Sequence, residues 1–275
     1  MDQALPSPAA ADSRDLWIVI PAYNAEATVG AVARAARHSG LPVLVVDDGS
    51  SDGTGREAEA AGVAVLRLSQ NLGKGGALRS GFAYALHRGA RAVLTLDADG
   101  QHDPAEIPAL RAAHLREPQA LIIGARSFDP ALMPRRSRVG NHISTFFISL
   151  FAGQRFRDTQ SGFRVYPAQL LRRAPLRACR FEIETELLLW GSKLGVPVRE
   201  VSIATIYHRA PAPATEIVTA EGAAPAHRTH FRNVHDTLRI LRLVIGSPLW
   251  RAPQPPSEPM ADAAAALSQP KMEAT

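Results

Sequence analysis

Two aspartates separated by one residue follow an apolar segment near the middle of the chain. Asp97 and Asp99 come directly after Ala92–Leu96, a run with the length and composition of a buried strand. Carboxylates at positions i and i+2, placed where a strand ends in a loop, can turn toward one cation, and their hard oxygens suit Mg²⁺ or Mn²⁺. An ordinary acidic turn is the alternative, since Asp and Gly are common in turns. The segment is therefore a candidate metal site.

The first half of the chain alternates short apolar runs with helical patterns. Strands are predicted at Leu16–Ile20, Val43–Val46, Val63–Leu68, Ala92–Leu96 and Ala120–Ile123. Helices are predicted between them, at Ala25–His38, Thr54–Ala61, Lys74–Arg88 and Pro104–Arg116. This alternation indicates an α/β fold with a mostly parallel central sheet and helices on both faces.

Polar residues follow four of the predicted strands. They begin at Pro21, Asp47, Asn71 and Asp97. In a parallel sheet ligands bind outside the carboxyl ends of the strands, so we expect these four segments to form one site.

The alternating pattern breaks from Phe128 onward. Helices are predicted at Arg138–Ala152, Ala168–Arg173, Ile183–Leu194 and Asn233–Ile245, with a strand at Val198–Ile206 and loops at Phe156–Phe163 and Arg209–Thr229. We expect the last of these loops to be mobile because it is rich in Ala and Pro, and residues 1–14 and 251–275 to be disordered.

The charge of the chain is mild overall but unevenly distributed. A formal net charge of +5 does not by itself indicate nucleic acid binding, and no nucleic acid partner is predicted. Between Arg126 and Arg180, however, eleven arginines accompany only two acids, Asp129 and Asp158, which fits phosphate groups or an anionic membrane. The alternative is that Arg is the default cation, since the chain has only three lysines.

Other features bound the setting of the protein. The single cysteine, Cys179, excludes an intramolecular disulfide and a Cys-based zinc cluster. The N-terminus lacks a signal pattern, so we expect a cytoplasmic protein. The apolar stretches Ile143–Ala152 and Leu238–Trp250 are too short to span a bilayer, so any contact with the inner face of the cell membrane is expected to be peripheral. The oligomeric state is not indicated.

Read in order, the motifs P-A-Y-N, V-D-D-G-S-S-D-G-T, N-L-G-K-G-G-A and D-A-D-G-Q resemble those of the family 2 glycosyltransferases. The chain is most similar to the branch of dolichyl-phosphate mannose synthase and the bacterial polyprenyl-phosphate glycosyltransferases, over roughly residues 16–206. The resemblance implies a GT-A type fold, with one glycosyltransferase domain over 15–250. Residues 15–125 would bind the nucleotide sugar and residues 126–250 the acceptor.

The resemblance also implies roles for residues on the donor side. Donor-binding residues would be Pro21, Tyr23, Asn24, Asp47, Asp48, Lys74, Asp97, His230 and Arg232. Asp97, Asp99 and Gln101 would hold Mg²⁺ or Mn²⁺ against the diphosphate. For Lys74 a solvated side chain beside a helix N-terminus is the alternative, and for His230 a structural role.

A second motif, D-T-Q-S-G-F-R at residues 158–164, resembles the acceptor-side loop of the same branch. Acceptor-binding residues would be Arg138, Asn141, Thr159, Gln160, Ser161, Gly162 and Glu184, and catalytic residues Asp158, Arg126 and Asp99. A capped turn is the alternative for the motif, and acids stabilising a helix N-terminus the alternative for Glu184.

The expected reaction is the transfer of one sugar, with inversion, from a UDP- or GDP-sugar to a lipid-linked acceptor. A phosphate acceptor is largely ionised at neutral pH and needs only arginines to orient it, whereas a hydroxyl needs a base, for which Asp158 is the candidate. The arginines beside the apolar helix favour polyprenyl phosphate. The alternatives are a haloacid-dehalogenase-type phosphatase using Asp97 and Asp99, and a non-catalytic nucleotide-sugar-binding protein.

Overall fold

The computed structural model describes residues 15–126, 135–204, 233–247 and 250, and within them the side chains of all but 135–143 and 233–238. The loop predicted at Arg209–Thr229, the two predicted disordered ends, and the site residues His230 and Arg232 lie outside these ranges. So do the side chains of Arg138 and Asn141.

A seven-stranded sheet forms the centre of the described chain, in the order β3-β2-β1-β4-β6-β5-β7. The strands are β1 Leu16–Ala22, β2 Val43–Asp47, β3 Ala64–Arg67, β4 Ala92–Thr95, β5 Leu121–Arg126, β6 Arg164–Pro167 and β7 Val198–Ile203. Six strands run in one direction, and β6 is antiparallel to both of its neighbours. The predicted α/β fold with a mostly parallel sheet is confirmed.

Helices cover both faces of the sheet. They are α1 Glu26–Arg37, α2 Thr54–Ala60, α3 Lys74–His87, α4 Ile107–Arg116, α5 Arg135–Ala152, α6 Ala168–Arg173, α7 Ile183–Lys193 and α8 Asn233–Gly246. Helix α5 begins three residues earlier than predicted, and β7 ends three residues earlier. No helix in the described parts of the chain is long and apolar enough to cross a membrane.

The sheet separates two apolar cores because successive strand residues point to opposite faces. On β1, Ile18 and Ile20 pack in the core that includes α1 and α4, whereas Val19 packs with α3 and α7 on the other face. All three are fully buried. Helix α3 lies close against the sheet because Gly81 has no side chain: a Cβ there would stand 2.5 Å from a methyl of Val19. The strands are thus fixed on both faces, which makes their ends a rigid platform.

The carboxyl edge, by which we mean the ends of β1, β2, β4 and β5 at Ala22, Asp47, Thr95 and Arg126, carries the segments predicted to form the site. Strand β6 reaches the same edge from the opposite direction. Because β6 begins at Arg164 beside Thr95 of β4, the 158–164 loop that precedes it is placed next to Asp97. The acceptor-side motif and the aspartate pair therefore meet.

Candidate active site

A buried cluster of charges lies at the centre of the carboxyl edge. Lys74 Nζ is 2.7 Å from Asp97 Oδ1 and 2.8 Å from Glu184 Oε1, and the Lys74 side chain is only 14% exposed. Burial opposes its charge, but Asp97 and Glu184 outweigh burial and raise the pKa of Lys74. The three residues were expected to serve the donor, the metal and the acceptor separately. The structure instead joins them.

The glycine-rich turn at 73–76 explains why Lys74 points inward. Gly73 has a φ of +79°, which favours glycine, and the backbone N–H groups of Gly75 and Gly76 both donate to the Cys179 carbonyl, at 2.8 and 3.2 Å. A Cβ on Gly75 would stand 2.5 Å from the Ala178 carbonyl oxygen. The turn therefore fits only with glycine at positions 73, 75 and 76, and it fixes Lys74, the first residue of α3, against the 178–180 segment.

That segment is itself held by a buried acid. The Glu186 carboxylate accepts hydrogen bonds from the backbone N–H groups of Arg177 and Ala178, at 2.9 to 3.1 Å. Burial raises the pKa of Glu186. Helix α7 thus supports Lys74 twice, through the Glu184 side chain and through the loop that Glu186 anchors. Neither Lys74 nor Glu184 is solvated, since both side chains are mostly buried, but Glu184 does lie in the first turn of α7, as the alternative for this residue predicted.

The two aspartates after β4 have different surroundings. Asp97 lies against Gly162, where a Cβ would stand 2.5 Å from Asp97 Oδ2, and burial of this carboxyl is outweighed by Lys74, which lowers its pKa. Asp99 is exposed and accepts a hydrogen bond from the Gln101 N–H at 2.9 Å. Desolvation and the charge of Asp97 raise the pKa of Asp99.

These residues fit a divalent cation. Asp97, Asp99 and Gln101 offer carboxylate and amide oxygens, the ligands that Mg²⁺ and Mn²⁺ favour. Asp99 is exposed beside the charged Asp97, and repulsion between the two carboxylates, together with desolvation, favours an added positive charge. A cation bound there would supply it.

A histidine that the sequence analysis did not select lies beside this pair. His102 Nε2 is 3.9 Å from Asp97 Oδ2, and the ring packs on Phe163 with centroids 5.5 Å apart. His102 Nδ1 is buried and has no hydrogen-bond partner among the residues that the structure describes, and burial lowers the pKa of His102. Its position directly after the D-A-D-G-Q motif was the available signal.

Asp158 and Arg126 form a bidentate ion pair. Arg126 Nε and Nη2 donate to the two carboxylate oxygens at 2.7 and 3.1 Å, and the Arg126 backbone N–H donates at 3.2 Å. The Gln160 N–H donates to the same carboxylate. The Asp158 side chain is 1% exposed. Burial is outweighed by Arg126, which lowers the pKa of Asp158. The charge of Arg126 also acts on Asp97, so the pair borders the candidate metal site.

A second arginine, also not selected from the sequence, shapes the 158–164 loop from within. Arg164 is fully buried and donates to the carbonyls of Thr159, Ser161 and Glu184 at 2.7 to 2.9 Å. The Thr95 hydroxyl donates to the Gly162 carbonyl at 2.7 Å. The loop is therefore tied to α7 and to β4, and the interpretation of a simple capped turn is too limited.

The loops that follow β1 and β2 form a polar region beside the cluster of Lys74, Asp97 and Glu184. The Asp48 carboxylate accepts from the Leu72 N–H at 2.8 Å, and burial raises the pKa of Asp48. Asp47 accepts from the Ser50 N–H at 3.0 Å. Asn24, with a φ of +48°, is linked through its backbone N–H and its amide oxygen to Ser50 and Ser51. Pro21 and Tyr23 precede it at the end of β1, and Tyr23 is 36% exposed.

With this geometry established, comparison with known proteins identifies the family. Residues 17–180 match the model of the glycosyl transferase family 2. The chain therefore belongs to the family 2 glycosyltransferases, and the protein is a glycosyltransferase. This membership decides against the haloacid-dehalogenase-type phosphatase and the non-catalytic binding protein.

Named relatives cover most of the described chain. This chain is 32% identical over 215 residues to the UDP-N-acetylglucosamine–dolichyl-phosphate N-acetylglucosaminyltransferase of Methanococcus voltae. The match covers 70% of this chain and 86% of the relative. The chain is 32% identical over 200 residues to the undecaprenyl-phosphate mannosyltransferase of Micrococcus luteus, covering 67% and 81%. The resemblance to the dolichyl- and polyprenyl-phosphate branch is thus confirmed.

Solved structures confirm the GT-A fold. Glucosyl-3-phosphoglycerate synthase from Mycobacterium tuberculosis, crystallised with Mn²⁺, UDP and glucosyl-3-phosphoglycerate, superposes with a TM-score of 0.62 at 21% identity. The similarity covers 93% of this chain and 88% of that one. At this identity it establishes the fold alone.

Proposed function

We propose that this glycosyltransferase moves one sugar, with inversion, from a UDP- or GDP-sugar to polyprenyl phosphate at a membrane surface, and that the transfer requires Mg²⁺ or Mn²⁺. The single observation that carries the proposal is that Asp97, the first aspartate after β4, lies against Gly162 of the loop whose Asp158 forms the ion pair with Arg126. The relatives that act on dolichyl and undecaprenyl phosphates support it.

On the donor side, Asp97, Asp99 and Gln101 would hold the divalent cation. When bound, the cation would neutralise charge that develops on the diphosphate leaving group and so would lower the barrier to breaking its bond to the sugar. Asp47 and Asp48, with Pro21 and Tyr23 beside them, would receive the nucleoside. Asn24 contributes to this part of the site indirectly, because its amide oxygen accepts a hydrogen bond from the Ser51 N–H and so holds the loop after β2 in place.

On the acceptor side, the Arg126–Asp158 pair favours a phosphate over a hydroxyl. Both Asp158 oxygens already accept hydrogen bonds from Arg126, and the pKa of Asp158 is lowered. Asp158 is therefore a poor base. Its role in our proposal is to orient Arg126, whose charge would bind the acceptor phosphate. Thr159, Gln160, Ser161 and Gly162 would line the acceptor path, and Arg138 and Asn141 are proposed to meet the same phosphate.

The membrane contact is proposed to involve α5 and α8, which pack against each other. Phe146 and Leu150 of α5 and Ile245 of α8 are 60 to 63% exposed, and Arg239 and Arg242 are exposed on α8. Apolar side chains beside basic ones suit an anionic lipid surface. The Thr145 hydroxyl of α5 lies 2.9 Å from that of Thr159, so this face borders the acceptor loop.

The direct test supplies the purified full chain with Mn²⁺, polyprenyl phosphate and a panel of UDP- and GDP-sugars, and measures lipid-linked sugar. We expect one donor to give product, with the anomeric configuration opposite to that of the donor by NMR. No lipid-linked product with any donor would overturn the acceptor assignment, and product formed equally well with EDTA would overturn the metal requirement.

The membrane arm is tested separately by sedimentation with anionic phospholipid vesicles. The double substitution Phe146→Ser and Leu150→Ser should reduce the bound fraction. Leu115→Ser is the matched control, because Leu115 is 49% exposed on α4, in a different part of the structure. Equal vesicle binding by the wild type, the double variant and Leu115→Ser would exclude a membrane contact through the exposed face of α5.

A further inference from the structure

The Lys74 ammonium occupies a position built like a cation site. Two carboxylate oxygens lie within 2.8 Å of its nitrogen, and the Phe181 ring centroid is 5.5 Å away. The backbone of Lys74 cannot withdraw easily, since the neighbouring glycines are bonded to the Cys179 carbonyl. The ammonium is therefore a fixed resident charge.

Two carboxylates contact this position, and a third follows close by in the sequence. Asp97 and Glu184 face inward and share Lys74, whereas Asp99 lies on the outer, exposed side of Asp97. Asp97 thus separates an inner position, filled by an ammonium, from an outer position next to Asp99. A divalent cation would find oxygen ligands on both sides if Lys74 were absent.

We propose that Lys74 occupies the inner cation position and so confines the divalent cation to the outer side of Asp97, beside Asp99. Glu184 is then a positioning residue, which acts by holding Lys74, rather than a contact to the acceptor. This inference rests on the metal dependence proposed above. Lysine suits the task because its compact point charge fills a space of ion size.

The test measures Mn²⁺ binding to the full chain without nucleotide, from the loss of the free-Mn²⁺ signal in electron paramagnetic resonance. Lys74→Met should bind Mn²⁺ at least about tenfold more tightly, because a like charge is removed and the carboxylates of Asp97 and Glu184 become available. Lys74→Arg keeps the charge and should bind nearly as the wild type does. The double variant Lys74→Met/Glu184→Gln should return most of the way toward wild-type affinity.

Asp99→Asn distinguishes the two positions. In the wild-type background it should weaken Mn²⁺ binding strongly, because the outer position depends on Asp99. In the Lys74→Met background it should weaken binding far less, because the cation then lies between Asp97 and Glu184. Circular dichroism of each variant checks folding, and Lys74→Gln, which also removes the charge, replaces Lys74→Met if that protein does not fold.

The contrary results are distinct. Unchanged or weaker Mn²⁺ binding by Lys74→Met, or an equal effect of Asp99→Asn in both backgrounds, would overturn the inner-position inference. Absence of Mn²⁺ binding by every variant would overturn both this inference and the proposed metal dependence. If the Mn²⁺ affinities of the variants are as predicted but the transfer assay gives no lipid-linked product, the inner-position inference stands and only the proposed acceptor is overturned.

Discussion

The glycine-rich turn allows a quantitative test of how the site is positioned, by Gly75→Ala. A Cβ at this position would stand 2.5 Å from the Ala178 oxygen, 2.6 Å from the Cys179 carbonyl carbon and 2.9 Å from the Arg180 nitrogen. All three are backbone atoms, so the segment must move. Overpacking costs about 1–3 kcal/mol, and two weakened hydrogen bonds to the Cys179 carbonyl add about 0.5–1.5 kcal/mol each.

We therefore expect Gly75→Ala to lower the free energy of unfolding by about 2–6 kcal/mol. Gly191→Ala, also in a helix, is the matched control: its Cβ would meet Leu170, Leu121 and Val196 at 3.7 to 4.0 Å, which is ordinary contact. Since alanine favours helix, this variant should gain about 0.5–1 kcal/mol.

Urea unfolding followed by tryptophan fluorescence measures both variants. With a slope of about 2–3 kcal/mol per molar urea, the midpoint of Gly75→Ala should fall by about 1 M or more, while that of Gly191→Ala should rise. Transfer activity of Gly75→Ala, assayed where it is still folded, should also fall because Lys74 moves with the turn. Wild-type stability of Gly75→Ala, or equal losses in both variants, would refute the close-approach explanation.

Three further predictions concern single side chains. Asp99→Ala should abolish metal-dependent transfer with an unchanged circular dichroism spectrum, and retained turnover would remove Asp99 from the site. Arg164→Met should lower the free energy of unfolding by about 3–5 kcal/mol, because three buried carbonyls lose their donor. A loss below about 1 kcal/mol in urea titration would show that the 158–164 loop does not depend on Arg164. Because the folded pKa of Asp158 is lowered from its ordinary 3.8, its stabilisation is present above pH 3.8 and is lost as pH falls through the folded pKa. Asp158→Asn should flatten this part of the stability profile, and an identical profile would contradict the ion pair.

Much of the fold could be predicted because it depends on local patterns. The apolar runs and helical periods of residues 16–123 specify strands and helices in alternation, and the polar residues after Ala22, Asp47 and Leu96 mark the carboxyl edge. The antiparallel insertion of β6 between β4 and β5 was not predictable in this way. It is a pairing between distant segments, and four residues, Arg164–Pro167, give no signal of which strands they join.

The sequence pointed to Lys74, Asp97 and Glu184 as candidate site residues, but it did not predict the contacts between them. Asp97 and Asp99 follow from spacing and position alone. The meeting of Lys74 with Glu184 depends on how α7 packs beside α3, which sequence spacing does not encode. The burial of Arg164 could not be predicted for a similar reason. In an arginine-rich segment the sequence does not distinguish one fully buried arginine from the others, and its burial follows only from its three carbonyl partners in the structure.

The most direct test of the central claim is a crystal structure of the protein with Mn²⁺ and UDP or GDP, using the anomalous signal of manganese. The account predicts one manganese peak between Asp97 and Asp99, in contact with the diphosphate, while Lys74 remains on Glu184. No peak at this position, or Asp97 and Asp99 both turned away from the nucleotide into ion pairs, would contradict it.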